Sequence, residues 1–459
     1  MFTLARLLEA TSGRVIRGTA DPTLTFSGGA FDSRILAPGT LFFALRDQRD
    51  GHDFVAHALA RGALGAVVER APADVAEDAL LVQVPAVAHA LRRLAEGLRA
   101  DHPIPAVAIT GNVGKTTAKQ ATVASCGARL RVLASASSFN NEIGVPLTFL
   151  ETEASHEAAV IELGFYVPGE IADLCRLVRP RVGVITAIPE RPVHFERTPS
   201  VEAIASGKAE LIEALPPAGL ALLNGDDPRV RALAPRTRAR VVLYGESAEA
   251  ELRATAVADE GLEGTSFTVL YRGERAEARL PLPGRHFLSA ALPAIGAAVE
   301  LGVPLDEAAT ALGTMEPPAH RMAVRRAGAL TLIDDSYNNS PAALAAALAV
   351  LRRAGGRRVA VIGDMRELGA LSHDAHVEAG REAARSADAL IGVGELAATL
   401  VAAAREAGLV GAQHAADAGE ALILLRRALR PGDVVLVKGS RAIGLEAVAD
   451  ALLAGEAVA

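Results

Sequence analysis

Residues Pro105 to Gln120, PAVAITGNVGKTTAKQ, limit the possible folds more than any other stretch. A short apolar run, Ala106 to Ile109, breaks into Thr110-Gly111-Asn112-Val113-Gly114, and Lys115-Thr116-Thr117 open a segment with helical character. The order strand, glycine loop, helix predicts a phosphate site. Glycines let backbone N–H groups crowd an anion, the helix start adds partial positive charge, Lys115 can reach the outer phosphates and Thr116 can ligate Mg²⁺. The full motif has a glycine where Ile109 stands, so the loop reads as a shortened G-x-x-G-K-T-T. An ordinary strand-to-helix turn is the alternative. The preceding strand favours a nucleoside triphosphate held by Gly111, Asn112, Val113, Gly114, Lys115, Thr116 and Thr117.

At 459 residues the chain is long enough for about three domains, and 50% hydrophobic residues suffice for buried cores. No basic stretch followed by an apolar run opens the sequence. Arg, Glu or Pro interrupts every apolar run before it could span a bilayer, so a cytoplasmic protein with no membrane span is expected. Two cysteines, Cys126 and Cys175, lack ligand spacing and read as small core residues. A net charge of -7 gives no reason to expect nucleic acid as a partner. Of 47 basic residues only four are lysines: Lys115, Lys119, Lys208 and Lys438. Where arginine serves for charge in general, the surviving lysines point to places that need a compact, tunable amine, most clearly Lys115 and Lys208.

Three blocks follow in order. From Met1 to about Asp101, strands (Thr40 to Leu45, Ala63 to Val68) alternate with helices (Phe54 to Arg61, Val87 to Arg99). Asp32-Ser33-Arg34 and Asp50-Gly51-His52 are polar islands there, and Asp101-His102-Pro103 reads as a linker. The second block, about Pro105 to Pro317, adds the loop Ser138 to Pro146 with Asn140 and Asn141, and a strand Ala158 to Ile161 ending in Glu162. A carboxylate at that strand end suits Mg²⁺. A strand Val182 to Ile188 leads to His194 and a helix carrying Lys208, and Arg253 to Leu282 alternates like an antiparallel ribbon. From His320 onward, strands at Leu330 to Ile333, Val359 to Ile362, Ala389 to Val393 and Val434 to Val437 each end in polar residues before a helical pattern. That is the repeat of a doubly wound parallel sheet.

Together TGNVGKTTAK, FNNEIGVPLT, IELG with PGEI, GKAEL, HRM, DDSYNNSP, GDMRELG and KGSR resemble the Mur ligases over nearly the whole chain. The resemblance implies an α/β protein of three domains: an N-terminal UDP-substrate-binding domain over 1–101, a central ATP-binding P-loop domain with a parallel sheet over 102–317, and a C-terminal Rossmann-like, doubly wound ligase domain over 318–459. It implies ATP-dependent amide synthesis through an acyl phosphate. The implied small-molecule substrates are UDP-N-acetylmuramoyl-tripeptide, D-alanyl-D-alanine and ATP, and the chain is expected to act as a monomer. On that basis Lys115 and Thr116 hold phosphates and magnesium, and Glu162 and His194 are metal ligands. Lys208 becomes carbamylated to help place Mg²⁺. Arg321 and Asp335 contact phosphate and ribose, and Asp32, Ser33 and Arg34, with Asn140 and Asn141, serve the substrate. The chain departs from the family pattern at Asp47, at Ala187, at Phe287 and Ala290, and in a longer loop Pro189 to Val193. Two other readings stay open: a related Mur or folylpolyglutamate-type ligase with a different amine or acid, and a catalytically degenerate nucleotide-binding homologue.

Overall fold

A computed structural model describes residues 1–46, 48–135, 139–192 and 194–455; Asp47, Ser138 and Val193, singled out above in loops, lie outside the described residues. The fold is α/β and forms two compact units. The first comprises Met1–Ala108, Leu130–Gly164 and Ile171–Arg181; the second comprises Ile109–Arg129, Phe165–Glu170 and Val182–Ala459.

The first unit holds a five-stranded sheet in the order Arg14–Arg17, Leu81–Gln83, Gly65–Val68, Leu41–Phe43, Gly29–Ala30. Its outer pair is antiparallel and the rest are parallel. Phe42, Val55, Ala58, Ala66 and Leu81 belong to one core cluster, and every residue of strands Leu41–Phe43 and Gly65–Val68 is buried. Burial on both faces explains why these strands read as continuous apolar runs rather than alternating ones. The expected helix over Phe54 to Arg61 is a 3₁₀ turn, Gly51–Phe54, followed by the α-helix Val55–Ala60. Asp50 caps that turn by accepting from the His52 N–H. The closing helix, Val87–Asp101, packs on Gly144–Leu150 and Leu4–Thr11. Strand Ala158–Glu162 runs parallel to Val132–Ala134.

In the second unit, parallel strands Val182–Ile185, Leu220–Asn224 and Arg240–Gly245 continue into Leu252–Asp259. Strands Leu252–Asp259, Thr265–Tyr271 and Glu274–Leu280 are antiparallel, as the alternation over Arg253 to Leu282 predicts. Strand Val182–Ile185 ends three residues earlier than its apolar run does. The reason is that Thr186, Ala187 and Ile188 leave the sheet to bond with the Asn224 side chain, the Asn112 N–H and the Asp227 carboxylate. The helix Lys115–Gly127 packs on Leu288–Glu300, whose Ala290 is fully buried and whose N-terminal neighbour Phe287 is nearly so.

A six-stranded sheet completes this unit, in the order Ala323–Ala327, Leu330–Asp335, Val434–Lys438, Arg358–Gly363, Ala389–Val393, Gln413–Ala415. Only its first pair is antiparallel. The register sets Asp335 opposite Lys438, and Lys438 opposite Ile362, so polar residues collect at the carboxyl ends of three adjacent strands. That edge is where doubly wound sheets receive ligands. Ser340, with Pro341 in the first turn, caps the helix Pro341–Arg353 that leaves it. Among the described residues no helix is long and apolar enough to cross a membrane.

Candidate active site

The glycine loop is held from behind by one hydroxyl. Thr186 Oγ1 donates to the Val113 carbonyl at 2.6 Å, and the Thr186 N–H donates to Thr110 at 3.0 Å. Gly111 sits directly against this hydroxyl at φ 150°; a Cβ there would lie 1.9 Å from Thr186 Oγ1. No other residue fits. Gly114, at φ 85°, then caps the helix Lys115–Gly127. Lys115 Nζ donates to the Gly111 carbonyl at 2.9 Å, which keeps the amine over the loop, while Thr116 and Thr117 are buried in the first turn. A backbone concavity at a helix N-terminus with a lysine above it is built for polyphosphate.

Lys208 lies on the helix Val201–Glu213, started by Ser200 accepting from the Ala203 N–H. Its side chain is fully buried, and Nζ has no hydrogen-bond partner among the described residues. The Phe165 ring covers the amine at 4.7 Å and approaches the helix where Gly207 leaves room, since a Cβ at Gly207 would lie 2.0 Å from Phe165 Cε2. Burial, and then the charge of Lys115, push the Lys208 amine well below the ordinary lysine range. Such a shift makes the neutral form of the amine easier to reach than for an exposed lysine.

His194 follows the Val182–Ile185 strand in a loop, at φ 72°. Its Nδ1 meets the Glu367 carboxylate at 2.7 Å, and Tyr166 presents an edge-on ring at 5.0 Å. Burial lowers the His194 pKa first, the Glu367 hydrogen bond opposes, and the charges of Lys115 and Lys208 lower it further. Glu367 is held below the ordinary carboxylate range by His194, with Arg197 and Lys115 helping. Lys115, Lys208 and His194 are thus brought within electrostatic reach of one another.

Arg321 and Asp335 form a second group at the strand ends. Arg321 lies over the Tyr337 ring at 4.2 Å, with Arg441 at 5.8 Å. Asp335 accepts from Lys438 Nζ and from the Met322 N–H at 3.2 Å. Burial pushes the Asp335 carboxyl up, against the opposing pull of Lys438 and Arg321.

The first unit carries the remaining candidates. Glu162 Oε1 accepts from Asn140 Nδ2 at 2.9 Å at the end of its strand. Asn141 instead serves its own backbone, accepting from the N–H groups of Ile143 and Gly144 at the start of the next helix. Asp32 pairs with Arg34 at 2.6 Å, and the buried Ser33 hydroxyl meets His57 Nδ1 at 2.8 Å.

Among the described residues no three His, Cys, Asp or Glu side chains cluster to hold a metal. The buried, unpartnered Lys208 amine is the feature that calls for a further group. Thr186, Phe165 and Glu367 went unassigned by sequence reasoning. Thr186 lies at a strand end and Glu367 within GDMRELG, but their partners are distant in sequence, so only the fold identifies them.

Residues 109–298 match the family model described as Mur ligase middle domain, and residues 320–441 match Mur ligase, glutamate ligase domain. The UDP-N-acetylmuramoyl-tripeptide–D-alanyl-D-alanine ligase of Mycobacterium bovis is 37% identical over 471 residues, covering 93% of this chain and 92% of that one. Of solved structures, MurF from Acinetobacter baumannii is similar with a TM-score of 0.86 at 28% identity, covering 99% of both chains. MurF from Thermotoga maritima in complex with ADP is similar with a TM-score of 0.77 at 25% identity, covering 94% of this chain and 98% of that one.

Proposed function

This chain belongs to the Mur ligase family, and we propose that it joins D-alanyl-D-alanine to UDP-N-acetylmuramoyl-tripeptide in an ATP-driven step of peptidoglycan precursor synthesis. The observation that carries this reading is the buried Lys208 amine beside the lysine of a phosphate loop, in a chain similar to ligases of that name along nearly its whole length.

The terminal carboxylate of the tripeptide attacks the γ-phosphorus of ATP; an O–P bond forms and ADP leaves. The D-alanyl-D-alanine amine then adds to the acyl phosphate carbonyl. The tetrahedral adduct collapses by breaking the C–O bond to phosphate, which departs with the former carboxylate oxygen, and the amine proton is lost. Phosphoryl transfer between anions depends on positioning and charge rather than on a strong base. Gly111 to Gly114 supply N–H groups, Lys115 steadies the β- and γ-phosphates, and Arg321 and Asp335 take phosphate and ribose. Thr116, Glu162, His194 and Lys208 are the residues to hold Mg²⁺, which when bound neutralises developing phosphate charge. The Lys208 amine in its neutral form adds to CO₂, forming an N–C bond and releasing a proton, so that a buried neutral group becomes an anionic ligand. Asp32, Ser33, Arg34, Asn140 and Asn141 serve the UDP-peptide.

We assign 1–101 to UDP-substrate binding, 102–317 to ATP binding and 318–459 to a C-terminal Rossmann-like ligase domain. We take the protein to work as a monomer in the cytoplasm. The test is phosphate release with Mg²⁺-ATP and the two substrates, with the product read by mass. Release that needs both substrates and yields the pentapeptide supports the reading. Release with another amine, or none despite nucleotide binding, overturns it.

A further inference from the structure

His194 and Glu367 meet across two parts of the second unit, and both do so with unusual backbones. Their φ angles are 72° and 63°, a region that costs a side-chain-bearing residue energy and that glycine enters freely. Strain of this kind persists where the surroundings over-determine it, and it concentrates at functional sites. The surroundings here are specific. The Glu196 N–H donates to the Glu367 carbonyl at 3.3 Å, and Arg191 pairs with Glu378 at 2.5 and 3.1 Å. Gly369 closes against the same loop, so that a Cβ there would be 3.4 Å from the Glu196 Cα. The loop bearing His194 is therefore docked on the turn that bears Glu367.

Hydrogen-bond chemistry fixes what that docking does to the imidazole. An ionised carboxylate can only accept, so Nδ1 must carry the proton and donate it across the 2.7 Å contact. In a neutral ring Nε2 is then the nitrogen with a lone pair. Histidines that bind metals ordinarily give their other N–H to a carboxylate in this way, which fixes tautomer and ring orientation.

We infer that Glu367 is the positioning residue of His194, holding the ring in the Nδ1–H tautomer so that Nε2 is the nitrogen offered to the cation. Because Glu367 lies in the loop that follows the strand Arg358–Gly363 of the C-terminal sheet and His194 in the loop after Val182–Ile185, the ligand is set only while the Glu367 turn is docked. The cation part rests on the function proposed above. The tautomer part does not.

The experiment uses full-length protein labelled with ¹⁵N-histidine and two-bond ¹H–¹⁵N correlation, with Asn at position 194 (H194N) to identify the signal. Three proteins are compared: wild type, E367Q, whose carboxamide oxygen can still accept, and E367G, whose backbone suits the 63° φ angle and so removes the side chain without imposing strain. Expected are an Nδ1–H, Nε2-unprotonated His194 in wild type and E367Q, and loss of that tautomer in E367G at an undiminished Tm. On titrating MgCl₂ in the presence of ADP, the His194 Nε2 signal should move in wild type and E367Q, and E367G should need about 10–100-fold more Mg²⁺. The same tautomer and the same Mg²⁺ requirement in E367G would overturn the inference. Neither readout depends on turnover, so a failed ligase assay and a failed tautomer assignment are told apart.

Discussion

Replacing Lys208 with methionine should yield a protein that is more stable and nearly inactive. The wild-type amine is fully buried, lacks a hydrogen-bond partner among the described residues, and faces the Phe165 ring at 4.7 Å. Leaving a buried polar group unpaired costs about 1–3 kcal/mol. Methionine matches the aliphatic stem and is flexible enough to fill the same space. Losing the amine–ring contact gives back about 0.5–1 kcal/mol, so the net gain is about 0–2.5 kcal/mol. The pH dependence has a definite sign. The Lys208 pKa is depressed in the folded protein relative to the ordinary value of 10.5, so between the two values the unfolded chain binds a proton that the folded chain lacks. Wild-type stability therefore rises with pH across that window, by up to about 1.4 kcal/mol per unit, and the advantage of methionine shrinks toward pH 10.5. The assay is urea unfolding in CO₂-free buffer, followed by far-UV circular dichroism because the chain has no tryptophan. Turnover should fall at least about 100-fold, as for loss of a metal ligand. A K208M protein less stable than wild type at neutral pH, or one whose advantage grows with pH, would refute the reasoning.

Three further substitutions test other contacts described above. Gly207→Ala gains about 1 kcal/mol of helix propensity but forces the Phe165 ring off its seat 2.0 Å away, at about 1–3 kcal/mol, so Tm and turnover should both fall; an unchanged Tm would show that the ring does not press on the helix. Gly111→Ala drives a methyl into Thr186 Oγ1, and calorimetry should show ADP affinity down at least about tenfold, or about 1.4 kcal/mol. Asp50 is held below the ordinary carboxylate range first by Arg70 and then by the His52 N–H, so it stabilises the fold above that range and ceases to do so as pH falls. Asp50→Asn should accordingly lower Tm at pH 7, with the difference from wild type closing on acidification.

Much of this molecule is legible in order along the chain. The Ala106–Thr110 strand, the Lys115–Gly127 helix and the βα repeats after His320 follow from apolar runs ending at glycines and polar residues, signals carried within about ten residues. The scarcity of lysine is equally telling. Lys119, Lys208 and Lys438 are all nearly or fully buried and Lys115 bends over its loop, while every described arginine except Arg99 is at least partly exposed. Short edge strands such as Val132–Ala134 and Gln413–Ala415 are not legible, because three residues carry too little pattern. Nor are the contacts that tune the site. The Thr186 hydroxyl behind Val113, the Phe165 ring over Lys208 and the Glu367 carboxylate on His194 join residues 73, 43 and 173 positions apart, and no local propensity encodes them. Asn141 shows the reverse case: a polar residue in a suggestive motif whose carboxamide oxygen starts a helix.

The most direct test of the account is the fate of one oxygen. UDP-N-acetylmuramoyl-tripeptide labelled with ¹⁸O in its terminal carboxylate is incubated with the protein, Mg²⁺-ATP and D-alanyl-D-alanine, and the released phosphate is analysed by mass spectrometry. Ligation through an acyl phosphate predicts one ¹⁸O in each phosphate formed, in step with pentapeptide. Pentapeptide accompanied by unlabelled phosphate would contradict it.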